Sequence, residues 1–229
     1  ELHLDILVNR LLRDFKVAVN VGKPQVVYRE TIDKSVEVEA SFEKEFEGRL
    51  HYGHVWLRLD PQDRGRGFSF VNGLKDGGLP PEYIPAVEEG IRESSNSGVI
   101  SGYQMVDLSV TLFDVSFHEL NSSKLGYRVA ASMAFKKGCE TANPTLLEPI
   151  MEVDVIIPDE FVGETIGDIN SRGGKIEEVA PKGKVKTIKS LIPLRRMFGY
   201  STDLRSVTQG RGTFSMQFSR YDKVGAGKS

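Results

Sequence analysis

The sequence is short of the residue types on which several classes of site depend. Its 229 residues include one cysteine, Cys139, four histidines and one tryptophan. A single cysteine excludes an intramolecular disulfide and any metal site built from several cysteines, and it indicates a reducing, cytoplasmic compartment only weakly. No apolar run reaches the roughly 18 residues that a membrane span needs, and no signal-peptide pattern is present. We therefore expect no membrane partner.

Net charge is also small, but it is unevenly distributed. The formal charge is −2, from 30 basic and 32 acidic residues. Residues 182–229 contain 11 basic and 2 acidic residues, whereas residues 147–181 contain 2 basic and 9 acidic ones. A basic C-terminal segment on an acidic body indicates an anionic partner for that end. If the two stretches separate in space, the C-terminal domain is expected to be bipolar.

The first two thirds of the sequence alternate between helix and strand patterns. The chain begins at Glu1 inside an amphipathic helical pattern over residues 3–16, so we expect a fragment of a longer protein. The elements predicted next are a strand at 16–21, extended structure over 25–39, a charged loop or hairpin arm at 43–49, strands at 54–59 and 68–71, a helix from 80 to about 96, a strand at 105–115 and a helix to about 140. Asn121-Ser122-Ser123 supplies the cap of the last helix. Its buried face is predicted to consist of Leu125, Val129, Met133 and Ala134.

Asn143-Pro144 breaks this pattern, and we predict a domain boundary there. The predicted elements that follow are a strand at 151–157, a helix at 161–169, strands at 175–180 and 184–192, a helix at 194–207 and a strand at 214–218. This order, β-α-β-β-α-β, is that of the ferredoxin-like split βαβ sandwich. The sequence therefore predicts an α+β fold class.

Three partial motifs are weak functional signals. Residues 66–71 are close to the RNA-recognition signature, but buried strand positions for Phe68 and Phe70 explain the pattern more simply. Residues 225–229 resemble the end of a phosphate-binding loop without its first glycine or its helix. His51 and His54 would face opposite sides of a strand, so no metal site is expected. Nothing groups residues into a catalytic site, and no catalytic residue is predicted.

Six basic residues near the C-terminus are candidates for a surface that faces phosphate groups. They are Arg195, Arg196, Arg205, Arg211, Lys184 and Lys186. The alternative is an ordinary solvated face. The excess of basic over acidic residues in this segment favours anion binding.

A collinear series of short segments resembles bacterial elongation factor G. The segments are HLDI (3–6), NVGKPQV (20–26), YRET (28–31), YGHV (52–55), EYIPAV (82–87), LLEPIM (146–151), MFGY (197–200) and LRS (204–206). The series is specific for ribosomal translocation factors and less specific among them, since ribosome-recycling and ribosome-protection relatives share the architecture.

The resemblance implies a layout. Residues 1–22 would be the end of the third domain, 23–146 the fourth domain and 147–229 the ferredoxin-like fifth domain. It implies that the fourth domain is a two-layer βαβ-containing fold like domain 2 of ribosomal protein S5, with a left-handed crossover. The GTPase domain, with its GTP and Mg²⁺, would lie outside this chain. We therefore expect no cofactor and no enzyme activity in the fragment, and a GTPase in the parent.

The resemblance also implies which residues meet the ribosome. Two tip loops of the fourth domain, at 48–54 and 117–123, would enter the decoding site of the small subunit and follow the tRNA–mRNA during translocation. The residues implied at the tip are Arg49, His51, His54, His118, Asn121, Ser122 and Ser123. Leu50, His51, Glu119 and Asn121 depart from the family's usual residues there. The fifth domain would lie near the sarcin–ricin loop and the stalk base of the large subunit, and we expect a cytoplasmic monomer.

Two other functions stay open at this point. One is recycling or protection of ribosomes by a paralogue of the same family. The other is a free-standing RNA-binding module that would use Phe68 and Phe70.

Overall fold

The computed structural model describes residues 25–75 and 78–225. The helix predicted at 3–16, the strand predicted at 16–21 and all but the first residue of the phosphate-loop-like sequence lie outside the described residues. The chain divides into two compact units. Of the described residues, the first unit contains 27–148 and 220–225, and the second unit contains 25–26 and 149–219.

The first unit consists of a sheet and two helices. Its elements are β1 (Arg29–Ile32), β2 (Val36–Phe46), β3 (Arg49–Pro61), β4 (Phe68–Asn72), a 3₁₀ turn (Pro81–Tyr83), α1 (Ile84–Ser95), β5 (Leu108–Ser116), α2 (Lys124–Thr141) and the first residues of β6 (Pro144–Pro158). Four strands form a sheet in the order β2-β3-β5-β4. Strands β4 and β5 are parallel neighbours joined through α1, which is the predicted βαβ crossover.

The helices cover one face of this sheet, because alternate residues of the strands are apolar. Along β3, Val55, Leu57 and Leu59 are fully buried and join Ile91 of α1 and Phe135 of α2 in one core. The other face of the sheet carries the intervening, more polar side chains.

The predicted inward face of α2 is largely wrong. Leu125 and Met133 are 42% and 47% exposed, whereas Ala134 is buried as predicted. The helix instead turns its smallest residues toward the sheet. The buried set is Gly126, Tyr127, Ala130, Ala131, Ala134, Phe135, Gly138 and Cys139. Small side chains let the helix backbone lie close to the strands, and this close packing outweighs the burial of two larger side chains.

Phe68 and Phe70, the aromatic residues of the partial RNA-recognition signature, pack against the core of the first unit. The ring of Phe68 meets that of Phe135 edge to face, with 6.2 Å between centroids. The two rings are half-buried parts of the core, so they do not form the exposed stacking platform that a free-standing RNA-binding module needs.

The last described residues return to the beginning of the first unit. The Tyr221 hydroxyl donates to the Val27 carbonyl over 3.1 Å, and Lys223 Nζ lies 2.8 Å from the Asp33 carboxylate. The backbone N–H of Gly225 donates to Glu148 Oε1 over 3.1 Å. Residues from the two ends of the described chain thus complete one unit.

The second unit has the predicted β-α-β-β-α-β order. Its elements are the remainder of β6, α3 (Val162–Ser171), β7 (Lys175–Lys182), β8 (Val185–Pro193), α4 (Tyr200–Val207) and the part of β9 (Thr213–Lys223) before Arg220, with 3₁₀ turns at Asp159–Phe161 and Leu194–Arg196. In the sheet β6 pairs with β8 and β9, and β8 pairs with β7. Val153, Val155 and Ile157 alternate into the core as predicted, where they meet Ile169 and Tyr200.

The single helix predicted at 194–207 is two pieces. A 3₁₀ turn over Leu194–Arg196 precedes Gly199, whose φ of +80° is left-handed, and α4 begins only at Tyr200. Glycine adopts a left-handed φ at little cost, so the break falls where the sequence allows it. Both units combine helices and mainly antiparallel sheet, which confirms the α+β class. No helix of the described residues is long and apolar enough to cross a membrane.

Candidate nucleic-acid interface

The two segments predicted at the tip lie side by side. We call residues 49–54 and 117–123 together the tip. The backbone N–H of Tyr52 donates to the Asn121 carbonyl over 2.8 Å, and that of Ser123 donates to the Tyr52 carbonyl over 3.1 Å. The sequence expectation of a loop at 48–54 is wrong, since β3 begins at Arg49.

A two-residue turn ends the hairpin of β2 and β3. Glu47 and Gly48 have φ values of +52° and +71°, and Phe46 and Arg49 are the last paired residues. Positive φ at both central residues is typical of the turn that matches the twist of a hairpin. The strand pairing therefore continues to the end of the hairpin and holds Arg49 in a defined direction.

Ser122 and Ser123 shape the loop at 117–123. The Ser122 hydroxyl accepts from the His118 backbone N–H over 2.9 Å and lies 3.3 Å from the Tyr127 hydroxyl. Ser123 caps α2 by accepting from the Gly126 N–H over 3.0 Å. Both serines are buried. Their hydroxyls are used within the fold, so both serines position the loop, and their contact with RNA stays a prediction.

Tyr127 supports the loop from below. Its hydroxyl donates to the Ser116 carbonyl over 2.7 Å, and its side chain is fully buried. Burial raises the pKa of the Tyr127 hydroxyl, so this group stays a neutral donor.

The three histidines of the tip have different surroundings. His51 Nδ1 lies 2.9 Å from the Ser123 hydroxyl. His54 stacks on Trp56 at 3.8 Å between centroids, and its Nε2 lies 3.5 Å from the Glu39 carboxylate. The ring of the exposed His118 meets that of Tyr52 edge to face, with 4.5 Å between the ring centroids. His118 is therefore the histidine most available to a partner.

Arg49 and His118 are the exposed predicted residues of the tip, and Asn121 is half-exposed. Two apolar side chains beside them were missed by sequence reasoning, Leu120 at 86% exposure and Phe46 at 55%. The position of Leu120 between the polar residues Glu119 and Asn121 was the available signal for the first. The second could have been found from its position directly before the two-residue turn. The exposed side chains at and beside the tip thus include the Arg49 guanidinium, the His118 imidazole, the Glu119 carboxylate and the apolar groups of Phe46, Phe117 and Leu120.

The six basic candidates of the second unit do not form one surface. Lys184 and Lys186 lie at the start of β8, whereas Arg195 and Arg196 follow its end, so the length of the strand, roughly 26 Å, separates the pairs. Arg205 is exposed in the last turn of α4, and Arg211 follows that helix.

Acidic side chains lie among these basic ones, so the expected bipolar charge distribution is wrong. Lys186 Nζ is 2.9 Å from Asp159, and Arg211 Nη2 is 2.6 Å from Glu160. The antiparallel pairing of β6 with β8 brings the acidic turn at Asp159–Phe161 next to the first residues of β8. Lys184, Arg196 and Arg205 have no side-chain ion pair with any described residue and are the more available cations.

Arg172 connects the end of β8 to α3 and α4. Its Nε donates to Asp168 over 2.9 Å, its Nη1 donates to the Arg196 carbonyl over 2.8 Å, and its Nη2 pairs with Asp203. The guanidinium also lies 4.9 Å from the Tyr200 ring centroid. This network fixes the backbone that carries Arg196.

No group of three or more potential metal ligands occurs within residues 25–75 and 78–225. One depression of about 210 Å³, beside the tip, is lined by Phe42, Lys44, Phe46, His51 and Leu125.

Comparison with known proteins gives the family of the chain. The sequence model for domain IV of elongation factor G matches residues 24–143, and that for the elongation factor G C-terminus matches residues 145–228. A crystal structure of a protein from Thermus thermophilus superposes with a TM-score of 0.89 at 36% identity and covers 99% of this chain. The chain spans 34% of the length of that protein. With these two models matched over residues 24–228, the chain belongs to the elongation factor G family and carries its domain IV and its C-terminal domain.

Proposed function

We propose that this chain is the ribosome-binding C-terminal part of an elongation factor G-like GTPase that promotes tRNA–mRNA translocation. The tip of the first unit enters the decoding site of the small subunit. The observation that supports this proposal is the hydrogen-bonded frame that joins Tyr52 to Asn121 and Ser123 and leaves Arg49 and His118 outward.

The slightly negative charge of the region that carries the tip limits how the tip can bind RNA. Residues 23–146 contain 14 basic and 18 acidic residues, so the surrounding RNA does not attract this region as a whole. Arg49 supplies a charge-assisted donor to phosphate, and His118 supplies an imidazole, each at a fixed place. The tip therefore acts by shape and by a few directed contacts, and it can leave one site and enter the next without a large electrostatic barrier.

The second unit contacts large-subunit RNA near the sarcin–ricin loop and the stalk base. Lys184, Arg196 and Arg205 are the side chains most available for this contact, since Lys186 and Arg211 are already paired with acidic groups. A separate nucleotide-binding domain of the parent protein supplies GTP hydrolysis with Mg²⁺, and its switch moves these two units in the cytoplasm.

Directed hydroxyl-radical cleavage tests the orientation on the ribosome. A Glu119→Cys variant of a full-length factor carrying this chain receives a tethered iron chelate, and a Ser206→Cys variant is the matched probe in the second unit. Cys139 is buried and burial raises the pKa of its thiol, so it does not compete for the label. We expect cleavage of decoding-site RNA from position 119 and of large-subunit RNA from position 206. Cleavage of large-subunit RNA alone from position 119 would contradict the proposal.

Single-turnover translocation tests the role of the tip. An Arg49→Ala/His118→Ala factor is expected to translocate at least tenfold more slowly, whereas an Arg66→Ala factor, altered at an exposed arginine outside the tip, retains its rate. An unchanged rate in the double variant rules out the assignment. Normal translocation with lost ribosome splitting would identify a recycling factor instead.

A further inference from the structure

The face of the four-stranded sheet that α1 and α2 leave uncovered carries an ordered pattern of side chains. We call the side chains of β2, β3 and β5 on this side the outer face. On β2, Glu37, Glu39, Ser41, Glu43 and Glu45 are exposed and alternate with the half-buried Val36, Val38, Ala40 and Phe42. One side of an edge strand is therefore lined almost entirely by carboxylates.

A row of aromatic rings lies beside this acidic row. In the register of β2 and β3, Glu39 is opposite Trp56, Ser41 is opposite His54, and Glu43 is opposite Tyr52. The rings of His54 and Trp56 are stacked, and all three side chains are half-exposed.

A second carboxylate flanks Trp56 from the other side. The register of β3 and β5 places Asp114 opposite Trp56, next to a bulge that leaves Phe113 38% exposed. Trp56 thus has Glu39 on one neighbouring strand and Asp114 on the other. Aromatic faces between carboxylates are favourable surroundings for an ammonium or guanidinium group.

Few of these carboxylates are neutralised within the unit. Glu39 has His54 as its near partner. Glu37, Glu43 and Glu45 form no ion pair with any residue of the described ranges, and Arg58 on β3 pairs with Asp60. Acidic residues on an edge strand also prevent aggregation, but that role requires no aromatic row on the adjacent strand.

We propose that the outer face binds an extended polypeptide segment rich in arginine and lysine. Its cations lie over the Tyr52, His54 and Trp56 row, between the β2 carboxylates and Asp114. The same carboxylates repel phosphate, so the partner is a basic protein segment and not a nucleic acid. This surface adjoins the tip at Tyr52, whose ring meets that of His118, and extends away from it along β3 to Trp56. The inference does not depend on the proposed function.

Fluorescence of the chain provides a direct test, because Trp56 is its only tryptophan. The chain is titrated at low salt with a ten-residue peptide of alternating arginine and threonine. We expect saturable change in Trp56 emission, with an affinity that falls as salt is added. A Glu37→Gln/Glu43→Gln variant is expected to bind about tenfold more weakly, since both side chains are exposed and their loss breaks no ion pair.

Two controls make the result decisive. A Glu164→Gln/Glu177→Gln variant changes the net charge equally at exposed sites of the second unit and should bind like the unaltered chain. The absence of saturable binding, or equal weakening in both double variants, overturns the proposal. Competition by a decauridine oligonucleotide at the same Trp56 signal would also overturn it, in favour of an RNA site.

Discussion

Gly53 of β3 and Gly126 of α2 pack backbone against backbone. A Cβ atom added to Gly126 would lie closer than 3.0 Å to the carbonyl group of Tyr52, and one added to Gly53 would meet the backbone of Gly126 and Tyr127 equally closely. This contact sets the distance between the hairpin and the helix that carry the tip. Both segments of the tip therefore depend on two residues that have no side chain.

Gly126→Ala should consequently displace α2 from the hairpin. We expect a loss of about 1–3 kcal/mol in the free energy of unfolding, because backbone atoms cannot yield as a flexible side chain can. Urea unfolding measures it. Gly163→Ala in α3 is the matched control, since an added Cβ there meets nothing within 4 Å; it should be neutral or stabilising. Equal stability of the two variants would contradict the packing argument.

Glu30 should make the stability of the first unit depend on pH. Its buried carboxylate accepts backbone N–H donors from Val99, Ile100, Ser101 and Tyr103 over 2.6–3.0 Å. Burial alone would raise the pKa of Glu30, but the four donors together lower it below 4.5. A lowered pKa in the folded state contributes stability above the unfolded value, and this contribution disappears as the pH falls through the folded pKa.

Glu30→Gln should therefore cost about 2–4 kcal/mol at pH 7, because a neutral amide is a weaker acceptor and brings its own N–H groups toward the donors. The difference between the variant and the unaltered chain should shrink at pH 3. Urea midpoints at both pH values measure this, with Glu47→Gln at the exposed hairpin turn as control. A difference that is the same at both pH values would exclude the charge as its cause.

Ser123→Ala should loosen the tip without unfolding the unit. The variant loses the cap of α2 and the hydroxyl beside His51, which we expect to cost about 1 kcal/mol. Thermal unfolding measures the loss, and Ser123→Asp, which keeps an acceptor at the cap, should recover most of it. If alanine and aspartate are equally destabilising, the cap is not the cause.

Arg172→Lys should destabilise the second unit although it keeps the charge. One ammonium group cannot make the three directed contacts that the guanidinium makes with Asp168, Asp203 and the Arg196 carbonyl. The expected loss is about 1–3 kcal/mol. The exposed Arg58→Lys change on β3 is the control and should have little effect. If Arg172→Lys leaves the free energy of unfolding unchanged, the network does not stabilise the second unit.

Local patterns predicted most of the elements. Alternation predicted the inward residues of β3 and β6, and Asn121-Ser122-Ser123 marked the start of α2 at the residue that caps it. The buried face of α2 could not be predicted from hydrophobicity. Leu125 and Met133 are more hydrophobic than Gly126 and Ala130, yet they are the exposed residues. The preference for small residues becomes visible only when the approach of the strand backbone is known.

The resemblance indicated which segments form the candidate site, but it did not predict which of their side chains are exposed and which are buried. The sequence cannot distinguish an exposed serine from a buried one, and Ser122 became buried because Tyr127 lies beneath the loop. In the second unit, residues 147–181 and 182–229 differ strongly in charge along the chain. Antiparallel pairing nevertheless places Asp159 beside Lys186. The positions of these residues in the sequence do not indicate this proximity.

The return of Tyr221, Lys223 and Gly225 to the first unit has a consequence for how the chain is made. Synthesis proceeds from the N-terminus, and domains commonly fold in that order. Here Val27, Asp33 and Glu148 acquire these partners only after residues 149–219 have been added. The unit formed by residues 27–148 is therefore completed only by residues 220–225, and a chain shortened before Arg220 would leave it unfinished and would also lack the last residues of β9.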